Sequence, residues 1–96
     1  MQTIEVVIFP AKAGVSAEKL QTAALEITPV FAAMPGFISR EFGICDDGQF
    51  IDMIHWENRA VAEAAAEKVM HIPVCCAYFD LMDQGRMQFR YVNKVL

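Results

Sequence analysis

Cys45-Asp46-Asp47-Gly48-Gln49-Phe50-Ile51-Asp52-Met53-Ile54-His55-Trp56 decides how the rest of this chain is read. Asp47-Gly48 signals a hairpin, because a type I′ turn needs positive φ at both central residues and Asp and Gly tolerate it. The dipeptide lies between two strand-like runs, Gly36 to Cys45 and Gln49 to Trp56. A two-residue turn there sets Asp46 opposite Gln49, and pairs Ile44 with Ile51, Phe42 with Met53 and Arg40 with His55. The other face then carries Phe37, Ser39, Glu41, Gly43 and Cys45 beside Phe50, Asp52, Ile54 and Trp56. Both faces hold large apolar side chains, which a hairpin with one wet face would not. The expectation is that one face packs on helices and the other on a second copy of the chain.

Upstream of the hairpin, Thr3 to Phe9 is rich in Ile and Val, holds only Glu5 as a charge, and stops at Pro10. It reads as a central strand buried on both faces. After the loop Pro10 to Gly14, Ser16 is a candidate N-cap with Glu18 in the first turn. Ala17, Leu20, Ala24, Ile27, Phe31 and Met34 then recur at helical spacing. Pro29 should kink this helix or end its regular part near Thr28. Downstream, Glu57-Asn58 looks like a cap, and Arg59 to Met70 reads as a second helix that packs through Ala62, Ala65, Ala66 and Val69. Arg59 and Glu63 can pair on its wet side. Pro73 suits the first turn of a short third helix with Val74, Ala77, Tyr78 and Leu81 on one side. Arg86 to Leu96 alternates and reads as a long last strand. The order β-α-β-β-α-β, with an extra short helix before the last strand, predicts one α+β domain over residues 1–96. Its fold class is ferredoxin-like, helices on one face of a four-stranded antiparallel sheet.

Composition narrows the function. The chain has 96 residues, 55% hydrophobic and 21% charged, with a formal net charge of −4. A short chain this apolar suggests an oligomer or a lined cavity. The negative balance, with no basic stripe, argues against nucleic acid and against an anionic membrane surface. Neither a signal peptide nor a membrane-spanning run is read in the sequence. The three cysteines, Cys45, Cys75 and Cys76, make no C-x-x-C and read as reduced thiols of a cytoplasmic protein. Two histidines at no ligand spacing make a metal site an unfavoured reading.

Pro35-Gly36-Phe37-Ile38-Ser39-Arg40-Glu41, the strand Asp52-Met53-Ile54-His55-Trp56-Glu57-Asn58, the Ala-rich helix and the stretch His71 to Phe79 together resemble the antibiotic biosynthesis monooxygenase family of the dimeric α/β-barrel superfamily. The resemblance spans nearly the whole chain and rests on motifs that are weak singly and specific for fold together. It implies a homodimer whose sheets pack face to face, and a cofactor-independent monooxygenase acting on an aromatic or quinol-type metabolite. The alternative is a non-catalytic homodimeric module that binds a hydrophobic small molecule or serves as scaffold, stress-induced members of the superfamily included. The haem-degrading branch is set aside, since its Asn, Trp and His fall near Val7, Ala65 and Cys75 here.

Candidate site residues follow. His55 with Arg40 is the most pointed pair: a neutral His as general base, with Arg stabilising the anion that forms. Otherwise the two are polar contacts at a dimer interface. Asp52 and Glu41, on the other face, need partners, and Arg86 or Arg90 could supply them. Asp52 also counts as a ligand contact. Trp56 is a pocket wall for an aromatic ligand or a core anchor. His71, ahead of the short helix, is a further catalytic candidate, which the resemblance implies faces the cavity; otherwise it is an exposed boundary residue. Tyr78, Phe79 and Tyr91 line a cavity or fill the core. No cofactor is expected.

Overall fold

The computed structural model describes all 96 residues, Met1 to Leu96. Its elements in chain order are β1 (Thr3–Phe9), α1 (Ala17–Glu26), α2 (Thr28–Ala32), β2 (Phe37–Ile44), β3 (Phe50–Trp56), α3 (Arg59–Val69), α4 (Pro73–Phe79) and β4 (Gln88–Asn93), with a 3₁₀ turn at Gln84–Arg86. The four strands form one antiparallel sheet in the order β2-β3-β1-β4. This is the ferredoxin-like arrangement expected from the element order.

The local signals act as chemistry dictates. Ser16 caps α1 by accepting from the Lys19 N–H at 3.1 Å, and Asn58 caps α3 by accepting from Val61 N–H at 3.0 Å. Pro29 cannot donate to the preceding turn, so the helical run divides at Ile27 into α1 and α2. The stripe Leu20, Ala24, Ile27, Phe31 and Met34 is buried throughout. Ala62, Ala65 and Val69 of α3 are buried too. Gly36 adopts φ +82°, and a Cβ there would stand 2.5 Å from the Val61 side chain. That glycine lets α3 sit against the start of β2.

Three sequence expectations need correction. On α4 the inward residues are Cys75 and Tyr78, and Val74 is exposed. The last strand is shorter than expected, because the 3₁₀ turn takes its start and regular pairing ends at Asn93. The third correction is the hairpin register, which matters most. β2 and β3 pair Arg40 with Ile54, Phe42 with Asp52 and Ile44 with Phe50. This is one residue away from the expected pairing. The loop holds three residues: Cys45 N–H donates to Gln49 O at 2.7 Å, and Gly48 N–H donates to Cys45 O at 3.0 Å. Within the loop only Gly48, at φ +89°, has the left-handed conformation; no non-glycine residue of the chain does. A type I′ turn would need it at Asp47 as well, so the loop is instead a turn followed by a left-handed glycine.

One residue of slip exchanges the faces. Phe50, Asp52, Ile54 and Trp56 face the helices, joined by Arg40 and Phe42 of β2 and by Thr3, Glu5 and Phe9 of β1. His55, Met53 and Ile51 lie on the open face with Glu41, Ile4, Val6 and Ile8. Helices cover only one face of β1, so Ile4, Val6 and Ile8 are half-buried in the single chain.

Candidate functional site

Between the helices and the sheet lies a cavity of about 260 Å³. Val7 and Ile54 form its floor, Ala66 and Val69 of α3 and Tyr78 and Phe79 of α4 its roof, and Met87 and Phe89 its outer rim. Eleven of its 14 lining residues are hydrophobic, so the few polar groups there stand out. Two of them are carboxylates, Glu5 and Asp52.

Asp52 is held from every side. Arg40 grips it with two parallel bonds, Nε to Oδ1 at 2.9 Å and Nη2 to Oδ2 at 2.7 Å. The Tyr78 hydroxyl donates to Oδ2 at 2.8 Å. Arg40 is itself fully engaged, since its Nη1 donates to Ala24 O and to Thr28 Oγ1. Its guanidinium also lies over the rings of Phe31 and Tyr78, at 5.3 and 5.7 Å from their centroids. Burial pulls the Arg40 pKa down, but the bonds to Asp52 and its charge outweigh burial and leave it raised. Burial, with the charge of Asp52 adding to it, holds the Tyr78 phenol well above its usual range.

Glu5 is placed differently. It sits mid-strand on β1, 8% exposed, and its Oε1 accepts from the Trp56 indole N–H at 3.1 Å. Oε2 has no hydrogen-bond partner in the chain. No fully buried polar side-chain atom is left unpaired, so Oε2 keeps some accessible surface, and Glu5 is among the residues that line the cavity. Burial pushes the Glu5 pKa up to about 7; the Trp56 bond lowers it, Asp52 raises it and Arg40 lowers it. An acid so tuned, at the wall of an apolar cavity, can take or release a proton near neutral pH.

The expected pair Arg40–His55 does not form, because the shifted register sends the two side chains to opposite faces. His55 Nε2 instead meets Glu41 Oε1 at 2.9 Å on the open face. Neither Arg86 nor Arg90 reaches Asp52 or Glu41; Arg40 and His55 are their partners. Asp52, Tyr78 and Phe79 line the cavity. Trp56 is wholly buried behind Glu5 and meets Phe31 and Phe37 edge-on. Tyr91 stands outside the cavity, under the Arg59 guanidinium at 4.1 Å and against Phe89 at 5.1 Å. His71 is exposed just past α3, away from the cavity lining. No group of three or more His, Cys, Asp or Glu side chains is placed to hold a metal ion. No helix is long and apolar enough to cross a membrane. Glu5 was missed as a site residue. Its signal was its isolation, a lone acid in an apolar strand.

No protein-family model matches the chain, and no curated protein sequence does. Solved structures do. SnoaB, a cofactor-independent oxygenase from Streptomyces nogalater, superposes at a TM-score of 0.81 with 13% identity, over 99% of this chain and 94% of that one. A protein of Nitrosomonas europaea named "Putative antibiotic biosynthesis monooxygenase" gives 0.79 with 14% identity, over 98% and 90%. Rv0793 from Mycobacterium tuberculosis gives 0.78 with 9% identity, over 100% and 97%. At such identities the likeness is one of backbone. The chain shares the fold of these proteins, SnoaB and the putative antibiotic biosynthesis monooxygenase among them.

Proposed function

We propose that the protein is a cofactor-independent oxygenase acting on an aromatic or quinol-type metabolite held between helices and sheet. The observation that carries this reading is the apolar cavity whose polar wall is two carboxylates, one saturated and one half-free. The fold it shares with SnoaB, a cofactor-independent oxygenase, supports the same reading. Such chemistry asks little of the protein. A substrate with a weakly acidic hydroxyl or activated C–H is oxidised more readily once deprotonated, and an apolar chamber holds it beside dissolved oxygen. For an anthrone, the methylene takes up one oxygen atom of O₂ to become a carbonyl, and the other leaves with both methylene hydrogens as water. The electrons come from the substrate, so no external reductant is needed.

In this reading Asp52, Tyr78 and Phe79 shape the ligand's seat, and Trp56 backs Glu5. Arg40 is a positioning residue that fixes Asp52. His55 and His71 stand outside the chamber. Ile4, Val6, Ile51 and Met53 on the open sheet face support a homodimer formed through that face.

The test is oxygen uptake with an anthrone, with and without the protein, and with Ala66→Trp, which fills the cavity. Faster uptake that Ala66→Trp abolishes is expected. Uptake at the uncatalysed rate sinks the oxygenase reading; if the anthrone still binds, the protein is a small-molecule-binding module.

A further inference from the structure

The two carboxylates of the cavity are not equivalent, and the difference assigns a role. Both Asp52 oxygens are occupied by donors that are themselves fixed, Arg40 and Tyr78. Glu5 uses one oxygen on Trp56 and leaves the other without a hydrogen-bond partner, on a residue that lines the cavity. We propose that Glu5 Oε2 is the proton acceptor of this site, and that the ligand it takes is a neutral, apolar, aromatic molecule presenting one weakly acidic hydroxyl or carbonyl-activated C–H. The proposal rests on the cavity being a small-molecule site, as argued above, and deepens it.

Charge and shape specify the ligand. Arg40 is the cation nearest the two acids, and it is bound on all sides by Asp52, Ala24 and Thr28. An anionic ligand would therefore meet Glu5 and Asp52 with no free counter-ion, at a cost an apolar chamber magnifies. A neutral one brings its own proton. In the transfer, the ligand's O–H or C–H bond breaks, its electron pair stays on the ligand, and the proton bonds to Oε2. The site's net charge does not change; one negative charge moves from Glu5 to the ligand. The Trp56 N–H remains on Oε1 throughout. Aromatic walls from Phe31, Phe79 and Phe89 suit a ring system. A chamber of about 260 Å³ lies below the roughly 300–1,000 Å³ of drug-sized sites, so the ligand is small.

The groups around Glu5 agree with this role. From β3 come the Trp56 donor and the Asp52 charge, and from β2 the Arg40 charge. Tyr91 on β4 feels the Glu5 charge, beside Arg59 and Glu63 of α3, and Tyr78 of α4 is committed to Asp52. Among these, burial dominates and sets the acid near neutrality, where a general base is most effective.

The experiment uses 2-naphthol, an apolar phenol that becomes a strong acid when excited and emits in different bands as neutral molecule and as anion. Bound to the wild-type protein at pH 8, it should emit chiefly as the anion. Glu5→Gln keeps the shape and the Trp56 bond but cannot accept the proton; it should bind 2-naphthol with similar affinity while the anion-to-neutral emission ratio falls about tenfold or more. Wild type at pH 5, with Glu5 protonated, should match the variant, which gives the same answer should Glu5→Gln fold poorly. Anion emission that persists both in Glu5→Gln and at pH 5 removes Glu5 as the acceptor and leaves the binding site standing. Failure of 2-naphthol to bind the wild type overturns both the acceptor and the small-molecule site.

Discussion

Two ends of one cavity treat a carboxylate in opposite ways. At the β2–α1 end, Asp52 receives three donated bonds and closes a network that ties β2, β3, α1 and α4 together. At the β1 end, Glu5 receives one bond and leaves its other oxygen without a hydrogen-bond partner. The first arrangement spends every acceptor on architecture, and the second holds one in reserve. A buried acid whose partners are all satisfied is structural, whereas one left partly unsatisfied is where a fold keeps reactivity.

The sharpest way to break this contrast is to cut the network. Arg40→Ala strands Asp52 without its cation. Loss of one partner of a buried pair costs about 3–5 kcal/mol, so the variant should be largely unfolded at urea concentrations that leave the wild type folded. A small loss would mean that Asp52 is not held as described.

The second change should do the reverse. The unfolded chain loses the Glu5 proton near 4.5 and the folded chain near 7. Below 4.5 both states hold the proton and burial of Glu5 brings no ionisation penalty. As pH rises from 4.5 to 7 the unfolded state gains from ionising, and above 7 the folded state bears the full penalty, about 3 kcal/mol. Glu5→Gln escapes it. Its stability should match wild type in acid and exceed it above pH 7 by up to about 3 kcal/mol, read from paired denaturation curves. A variant that is less stable at high pH would show Glu5 to be a structural acid like Asp52. The expected gain, with loss of proton transfer, is the usual trade between stability and a working site.

The smallest effect is expected on the open face. His55 and Glu41 meet at 2.9 Å, but Glu41 is half-exposed. Glu41→Ala should cost the folded chain under about 1 kcal/mol, and the cost should shrink in high salt. A larger loss in thermal unfolding would place this pair in a covered interface.

What the sequence disclosed was local. Ser16, Asn58, Pro29 and the apolar stripe of α1 and α2 announce themselves within a few residues, because caps and kinks are decided by near neighbours. From these the element order and hence the topology followed. The hairpin register did not, since Asp47-Gly48 serves either a two-residue turn or a three-residue loop, and the backbone chose the one that spares Asp47 a positive φ. The candidate site inherited that error: Arg40 was joined to His55 when its partner is Asp52. Glu5 escaped notice for a related reason. Its partner Trp56 lies 51 residues away, and no spacing in a sequence announces a contact that only a finished sheet creates.

The three-residue loop of Asp46, Asp47 and Gly48 also bears on how this protein can change over generations. Lengthening a surface loop is normally among the mildest of genetic events, since the added chain entropy is slight. Here a single inserted or deleted codon that slipped the pairing by one residue would be an inversion. It would swing Arg40 and Phe42 outward, draw Glu41 inward and leave Asp52 facing the wrong strand neighbour. Lineages that keep this cavity must therefore keep the β2–β3 pairing and the left-handed glycine at Gly48, while Asp46 and Asp47 can vary.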